Sequence, residues 1–132
     1  MALTFLSRFN RRGANEGDAA DLALFLAAVR YIESNLARHT LTAAHVAAAV
    51  GCSRARLYRI FARQKTTVGQ CIRDSRMEYA SRLLGSSESE SVGSIAFHAG
   101  YTDMSAFGKA FKRHFGSSPS DWRQQRQSAL RE

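Results

Sequence analysis

Val46-Ala-Ala-Ala-Val-Gly-Cys-Ser-Arg-Ala-Arg-Leu-Tyr-Arg-Ile-Phe61 returns, altered but recognisable, as Ile95-Ala-Phe-His-Ala-Gly-Tyr-Thr-Asp-Met-Ser-Ala-Phe-Gly-Lys-Ala-Phe111. In each copy a short helix rich in small residues stops at a glycine, Gly51 or Gly100. A sharp turn there wants the left-handed backbone that glycine adopts without strain. A polar residue, Ser53 or Thr102, opens the next helix. Apolar anchors then recur at helical spacing: Leu57, Ile60 and Phe61, followed in the second copy by Phe107, Ala110 and Phe111. Gly51 and Gly100 stand 49 residues apart but Leu57 and Phe107 stand 50 apart, so the second turn carries one extra residue with both helices intact. The pattern is a doubled helix-turn-helix.

Composition narrows the class. A chain of 132 residues holds one domain or two very small ones. Lys and Arg number 19 against 11 Asp and Glu, a formal charge of +8, and the pI is near 10.3. That balance favours a polyanionic partner, nucleic acid ahead of an anionic membrane surface. The excess is local as well: residues 53–82 hold eight basic residues against two acidic ones. No apolar run of about 18 residues exists to span a membrane, and Met1–Phe9 lacks the charged start and apolar length of a secretory signal. A cytoplasmic protein is expected. Cys52 and Cys71 make no disulfide framework and are expected to be reduced, Cys71 in the core.

Along the chain, residues 1–17 show no sustained period and read as a flexible arm or the remnant of a linker, with Arg8, Arg11 and Arg12 beside two glycines. The first helix-turn-helix unit is placed at 18–66. Its bracing helix runs from about Asp18 to Ala37, with Leu22, Phe25, Leu26, Val29, Ile32 and Leu36 on one face and acidic residues at its start suiting the helix dipole. Helices follow from Thr42, a cap, to Val50 and from Ser53 to about Gln64. A linker helix at 67–85 opens on a Thr67-x-x-Gln70 capping box and turns Val68, Cys71, Ile72, Tyr79, Ala80 and Leu83 inward. The second unit, 86–127, holds helices at 92–99 and 103–115 and a last helix begun by Pro119 and carrying Trp122, before a tail at 128–132. β-branched alternation is absent, and the expected fold class is all-α, with seven helices.

With Leu57 and Phe61 against the core, a step of 100 degrees per residue turns Ala55, Arg59 and Ala62 directly outward, flanked by Tyr58 and Arg63, with Arg56 on the shoulder. A helix in the major groove needs small residues that permit close approach and a long donor able to bond guanine O6 and N7 together. Arg59 is the first candidate. The same operation on the later copy turns out Ser105, Lys109 and Lys112, with Gly108 and Arg113 on the flanks. This face is the weaker base reader and is suited to holding phosphates. Arg54, Arg56, Arg63, Lys112 and Arg113 are the candidate backbone contacts.

Other chemistries find little. His39, His45, His98 and His114 never fall at ligand spacing with a cysteine or carboxylate, so no metal site or cofactor is expected. No Gly-rich phosphate loop follows a strand, and nothing presents a nucleophile in a pocket. Tyr79, Phe97, Tyr101, Phe111, Phe115 and Trp122 occur at core spacing and are expected to pack rather than stack on bases.

At this point the chain resembles the AraC/XylS family of bacterial transcription regulators, over about residues 22–123. The resemblance rests on Ser53-x-x-x-Leu57-x-Arg59-x-Phe61, on Arg76-x-x-x-Ala80-x-x-Leu83-Leu84, on Ile95-Ala96 followed by Gly100-Tyr101-x-Asp103, on Phe107-x-Lys109-x-Phe111-Lys112, and on Gly116-x-Ser118-Pro119. It implies two helix-turn-helix units joined by a long rigid helix, both recognition helices entering successive segments of the major groove. Base-contacting positions in short members of the family fall here on Ala55, Tyr58 and Arg59 and on Met104, Ser105, Ala106, Gly108 and Lys109. Two residues depart from the family pattern: Thr66, where the first copy often has glycine, and Lys109, where arginine is more frequent. Most members also carry an effector-sensing or dimerising domain, for which this chain has no room; it is expected to be either a short regulator acting alone or the DNA-binding fragment of a longer protein whose effector-sensing domain is missing here.

The reading is a sequence-specific, double-stranded DNA-binding transcription regulator without catalytic activity, an activator by resemblance, with RNA polymerase a possible protein partner. The rival is an interaction module of the same fold that binds RNA polymerase or another regulator, and the basic face argues against it. A DNA-repair enzyme with such a segment would need a metal-bound cysteine cluster, for which only Cys52 and Cys71 are available.

Overall fold

The computed structural model describes residues 16–86 and 89–131. The expected arm therefore lies outside the described residues, apart from Glu16 and Gly17, which open the first helix. Seven helices make up the regular structure among the described residues: α1 (Glu16–Ser34), α2 (Ala43–Val50), α3 (Arg54–Arg63), α4 (Val68–Ser86), α5 (Val92–His98), α6 (Met104–Phe115) and α7 (Pro119–Arg131). The fold is all-α, two helix-turn-helix units joined by the linker helix α4.

Two compact units share the chain. Unit 1 takes the described residues up to Asn35 together with Thr40–Ser75; unit 2 takes Leu36–His39 together with the described residues from Arg76 onward. In unit 1, Phe25, Ala28, Val29 and Ile32 of α1 are buried with Val46 and Ala47 of α2, Leu57, Ile60 and Phe61 of α3, and Val68, Cys71 and Ile72 of α4. The Phe25 and Phe61 rings lie 5.0 Å apart, centre to centre. Full burial of side chains of this size contributes about 1.5–3 kcal/mol each, which is what holds helices of eight and ten residues that would be marginal alone. In unit 2 the buried set is Met77, Ala80, Leu84, Ile95, Ala96, Ala99, Phe107 and Phe111, edged by Tyr79, Leu83, Tyr101, Phe115 and Trp122. The aromatic part is continuous, with Phe111 4.6 Å from Phe115 and 6.0 Å from Trp122.

Several local expectations are corrected. α1 stops at Ser34 and its last expected turn is non-helical, Asn35 N closing on Ile32 O at 3.0 Å. The box expected at Thr67 is half made: the Thr67 hydroxyl accepts from Gln70 N at 3.0 Å, but Gln70 Oε1, the acceptor a full box would turn back to the cap, accepts from Arg73 Nη2 at 3.0 Å while its Nε2 donates to Asp74 at 2.7 Å. A charged guanidinium one turn on is a stronger donor to that oxygen than the backbone N–H of the cap. A reciprocal box forms instead at Thr42, whose hydroxyl accepts from His45 N while His45 Nδ1 accepts from Thr42 N at 3.3 Å. The cap of α6 is Asp103, its Oδ1 accepting from Ser105 N at 2.9 Å, so Thr102 belongs to the turn. Tyr79 and Leu83 edge the unit 2 core, while Met77 and Leu84 fill it. Phe97 is 63% exposed: α5 buries Ile95, Ala96 and Ala99, and Phe97 points off that stripe. α7 continues through residues expected as tail, to Arg131.

The turn glycines are where expected. Gly51 has φ +78 and caps α2, its N–H reaching Ala47 O at 3.0 Å; Gly100 has φ +92, with Tyr101 N closing on Ala96 O at 2.9 Å. Among the described residues one non-glycine shares this conformation, Lys65 (φ +57), just after α3.

Candidate nucleic-acid interface

α3 is placed by its ends and by one face. Ser53 caps it, accepting from Arg56 N at 3.1 Å, and Leu57, Ile60 and Phe61 bury the inner side. Ala55, Tyr58, Arg59 and Ala62 are consequently exposed, as is Arg54 on the side next to Tyr58. Arg59 stands on this face without an ion pair among the described residues, and Tyr58 is 52% exposed. The face thus offers the Arg59 guanidinium, a phenol and two methyl-sized residues over about two turns of helix. It can approach a grooved polyanion closely and donate in a plane.

The opposite shoulder of α3 is engaged. Arg56 Nη2 donates to Asp21 Oδ1 at 3.1 Å, and Arg63 donates to Asp21 Oδ2 at 2.9 Å and to Asp18 Oδ1 at 2.7 Å. The bond and charge of Asp18, then Asp21, push the Arg63 guanidinium further above its ordinary range. Two of the candidate phosphate contacts therefore already hold carboxylates. The acidic start of α1 thus serves these pairs as well as the helix dipole, and pairing over 35 and 42 residues leaves no local signal in the sequence.

In unit 2, α6 is capped by Asp103 and buries Phe107 and Phe111. Met104, Ser105, Ala106, Lys109, Lys112 and Arg113 are exposed and Gly108 is half-buried. A methyl added at Gly108 would meet nothing within 4 Å, so the backbone is open on that side. Lys109, Lys112 and Arg113 make no ion pair among the described residues.

Behind this helix, Arg76 holds the turn. Its Nε donates to Leu36 O at 3.3 Å and its Nη2 to Arg38 O at 2.8 Å, with the guanidinium 5.9 Å from the centre of the Tyr101 ring. Burial lowers its pKa from the ordinary value, and Tyr101 partly opposes this. Arg76 entered the sequence reading as a motif residue; its task is to tie Leu36–His39 to the turn at Gly100–Tyr101. Cys71 is buried and its thiol is pushed up to about 12 by that burial, which keeps it protonated and unreactive. Among the described residues no group of three or more His, Cys, Asp or Glu could hold a metal, and no helix is long and apolar enough to cross a membrane.

Residues 46–125 match the helix-turn-helix domain family. The transcriptional activator NphR of Rhodococcus sp. is 34% identical over 96 residues, 73% of this chain and 28% of that protein. The chain thus spans less than a third of that relative's length. Among solved structures, a transcriptional regulator of Chromobacterium violaceum, described as an AraC-type DNA-binding domain-containing protein, superposes with a TM-score of 0.72 at 28% identity, covering 85% of this chain and 96% of that one. The DNA-binding domain of AdpA, solved in complex with a target DNA, superposes with a TM-score of 0.69 at 25% identity, covering 77% and 91%.

Proposed function

This chain belongs to the AraC/XylS-like helix-turn-helix family, and from that premise we propose that it is a sequence-specific, double-stranded DNA-binding transcription regulator, an activator that presents two recognition helices to successive segments of the major groove. The observation that carries the reading is the outer face of α3, where Arg59 stands exposed between Ala55 and Ala62 with Tyr58 at its side and no ion pair among the described residues. In this reading Ala55, Tyr58 and Arg59 contact bases, and Arg59 makes the paired bond to guanine. Ser105, Gly108 and Lys109 give the second helix a shallower reading. Arg54, Arg56, Arg63, Lys112 and Arg113 hold phosphates and set the register. RNA polymerase is the partner on which an activator would act.

The test is selection of bound duplexes from a random pool, followed by affinity measurements across a salt series. Two recognition helices about one DNA turn apart cover about 20 base pairs. A recovered site of that length is expected, with log affinity falling steeply as log salt rises. A pool that yields no enriched sequence, or an affinity flat between low and physiological salt, overturns the proposal.

A further inference from the structure

α3 carries four arginines within ten residues. Unopposed, such a helix would hold any duplex through its phosphates, whatever the sequence. Two of the four are opposed. Asp21 bridges Arg56 and Arg63, at 3.1 and 2.9 Å, and Asp18 takes the other branch of the Arg63 fork at 2.7 Å. Arg56 and Arg63 are seven residues apart, two turns on one side of α3, while Asp18 and Asp21 are three apart, one turn of α1. The two long side chains converge from two turns of α3 onto carboxylates one turn of α1 apart, so that two carboxylates occupy both guanidinium groups at once. Arg59 lies about 60 degrees round the helix from Arg56 and about 40 degrees from Arg63, and has no part in the network.

Resting on the DNA-binding reading above, we infer that Asp18 and Asp21 are specificity-determining residues that hold Arg56 and Arg63 off the phosphates of non-cognate duplex and release them where Arg59 has seated α3 in a matching groove. The pairs are open enough to exchange. The Arg56 and Arg63 side chains are 42% and 55% exposed and the carboxylates about a quarter exposed, a setting in which ion pairs are weak. A phosphate brought to bonding distance is an equal or better partner for a guanidinium. A duplex that slides past behind a layer of water offers only a screened potential and does not displace the carboxylates. Sequence-independent affinity is thereby kept low while the cognate complex retains both contacts.

The experiment uses the full chain and its D18N/D21N variant on two duplexes, one of random sequence and one selected by the unaltered protein, across 50 to 200 mM salt. Each freed arginine that reaches a phosphate adds about 0.9 to the slope of log affinity against log salt. On random duplex the variant's slope is expected to steepen by about one to two, with affinity up by several-fold, about tenfold at most. On the selected duplex the slope stays near the original, so discrimination shrinks. Asp21→Glu, which keeps the pairing charge, is expected to restore the original behaviour on both. If the double variant melts below the assay temperature, Asp21→Asn alone frees Arg56 and carries the same test, with an expected steepening of about one.

An unmoved random-duplex slope in a folded variant overturns the inference and leaves the DNA-binding reading standing. Equal steepening on both duplexes also overturns it, because a plain change in net charge would act on both alike. Absence of salt-dependent binding by the unaltered protein overturns the functional reading and this inference together.

Discussion

The two turn glycines look equivalent in the repeat, yet alanine is expected to cost very different amounts at each. At Gly51, φ +78, a Cβ would meet nothing within 4 Å. The substitution bears the left-handed strain of an L residue, about 1–2 kcal/mol, partly offset by about 0.4–1 kcal/mol from a stiffer unfolded chain. A net loss of about 1 kcal/mol is expected. At Gly100, φ +92, the same Cβ would sit 2.2 Å from Leu36 O and 2.6 Å from Arg76 Nε. The carbonyl is backbone and has no rotamer to escape to, so the Leu36–His39 segment must shift, and the Arg76 guanidinium beside the new methyl must leave as well. That sacrifices its bonds to Leu36 O and Arg38 O, in a group whose charge is half-buried. Hydrogen bonds to charged groups contribute about 1.5–3 kcal/mol each, and the total expected for Gly100→Ala is about 4 kcal/mol or more. Urea unfolding followed by fluorescence of Trp122, the single tryptophan and a unit 2 residue, reads the Gly100 variant; helical circular dichroism reads the Gly51 variant. Losses within about 0.5 kcal/mol of each other would refute the argument that Arg76 and the Leu36 carbonyl fill the space beside Gly100, since non-additive effects of that size are ordinary.

Arg59→Ala is expected to cost about 1–3 kcal/mol of DNA binding and to relax preference at one or two base pairs, whereas Lys109→Ala should lower affinity with a smaller change in preference; competition binding on single-base variants of the selected site checks both. Gly108→Ala should stabilise α6 by up to about 1 kcal/mol, since its Cβ has free space. A thermal melt that rises while DNA affinity falls would show the duplex approaching the backbone there. For Cys71, burial pushes the thiol up to about 12 in the folded protein, so the folded state keeps a proton that the unfolded chain loses above about pH 8.5. Stability attached to this group is therefore complete below that pH and declines as pH rises toward 12, by up to about 1.4 kcal/mol per unit. Subtracting a Cys71→Ala melt series between pH 8 and 11 isolates the effect, and parallel curves would contradict the burial assigned to the thiol.

What was legible in the sequence was local. Helix type, the two turns and the anchors Leu57, Ile60, Phe61, Phe107 and Phe111 follow from a period of 3.6 and a few capping residues, all set by neighbours within two turns. The misses share a cause. A single stripe carried along α4 selects Val68, Cys71, Ile72 and Ala80 but goes astray at Tyr79 and Leu83, because past Ser75 the helix serves the unit 2 core, which Met77 and Leu84 fill beside Ala80. Phe97 and Tyr101 are four residues apart and imitate a helical stripe, but the chain has left α5 by Tyr101. The outer faces of α3 and α6 were readable because exposure follows from the buried anchors. The partners of Arg56, Arg63 and Arg76 were not, since Asp21 and the Leu36 and Arg38 carbonyls lie 35 to 42 residues away and no periodicity links them.

Leu36–His39 belongs to unit 2 although the chain on both sides of it belongs to unit 1, and this bears on how such a protein can be synthesised and recombined. On a ribosome, every residue of unit 1 has emerged once Ser75 is out, whereas the acceptors for Arg76 emerge 38 and 40 residues ahead of it and wait for their donor. Unit 1 can thus close first, with four residues left over for its successor. A gene cut at codon 76 would yield a second product without those carbonyls, leaving the Arg76 charge half-buried and unanswered. Exchange of DNA-reading halves between relatives by a crossover in α4 would bring in the recipient's Leu36–His39 with the donor's Arg76. Such exchange succeeds only where a backbone loop of the same shape is supplied from the other parent, so the natural unit of inheritance is the interleaved pair.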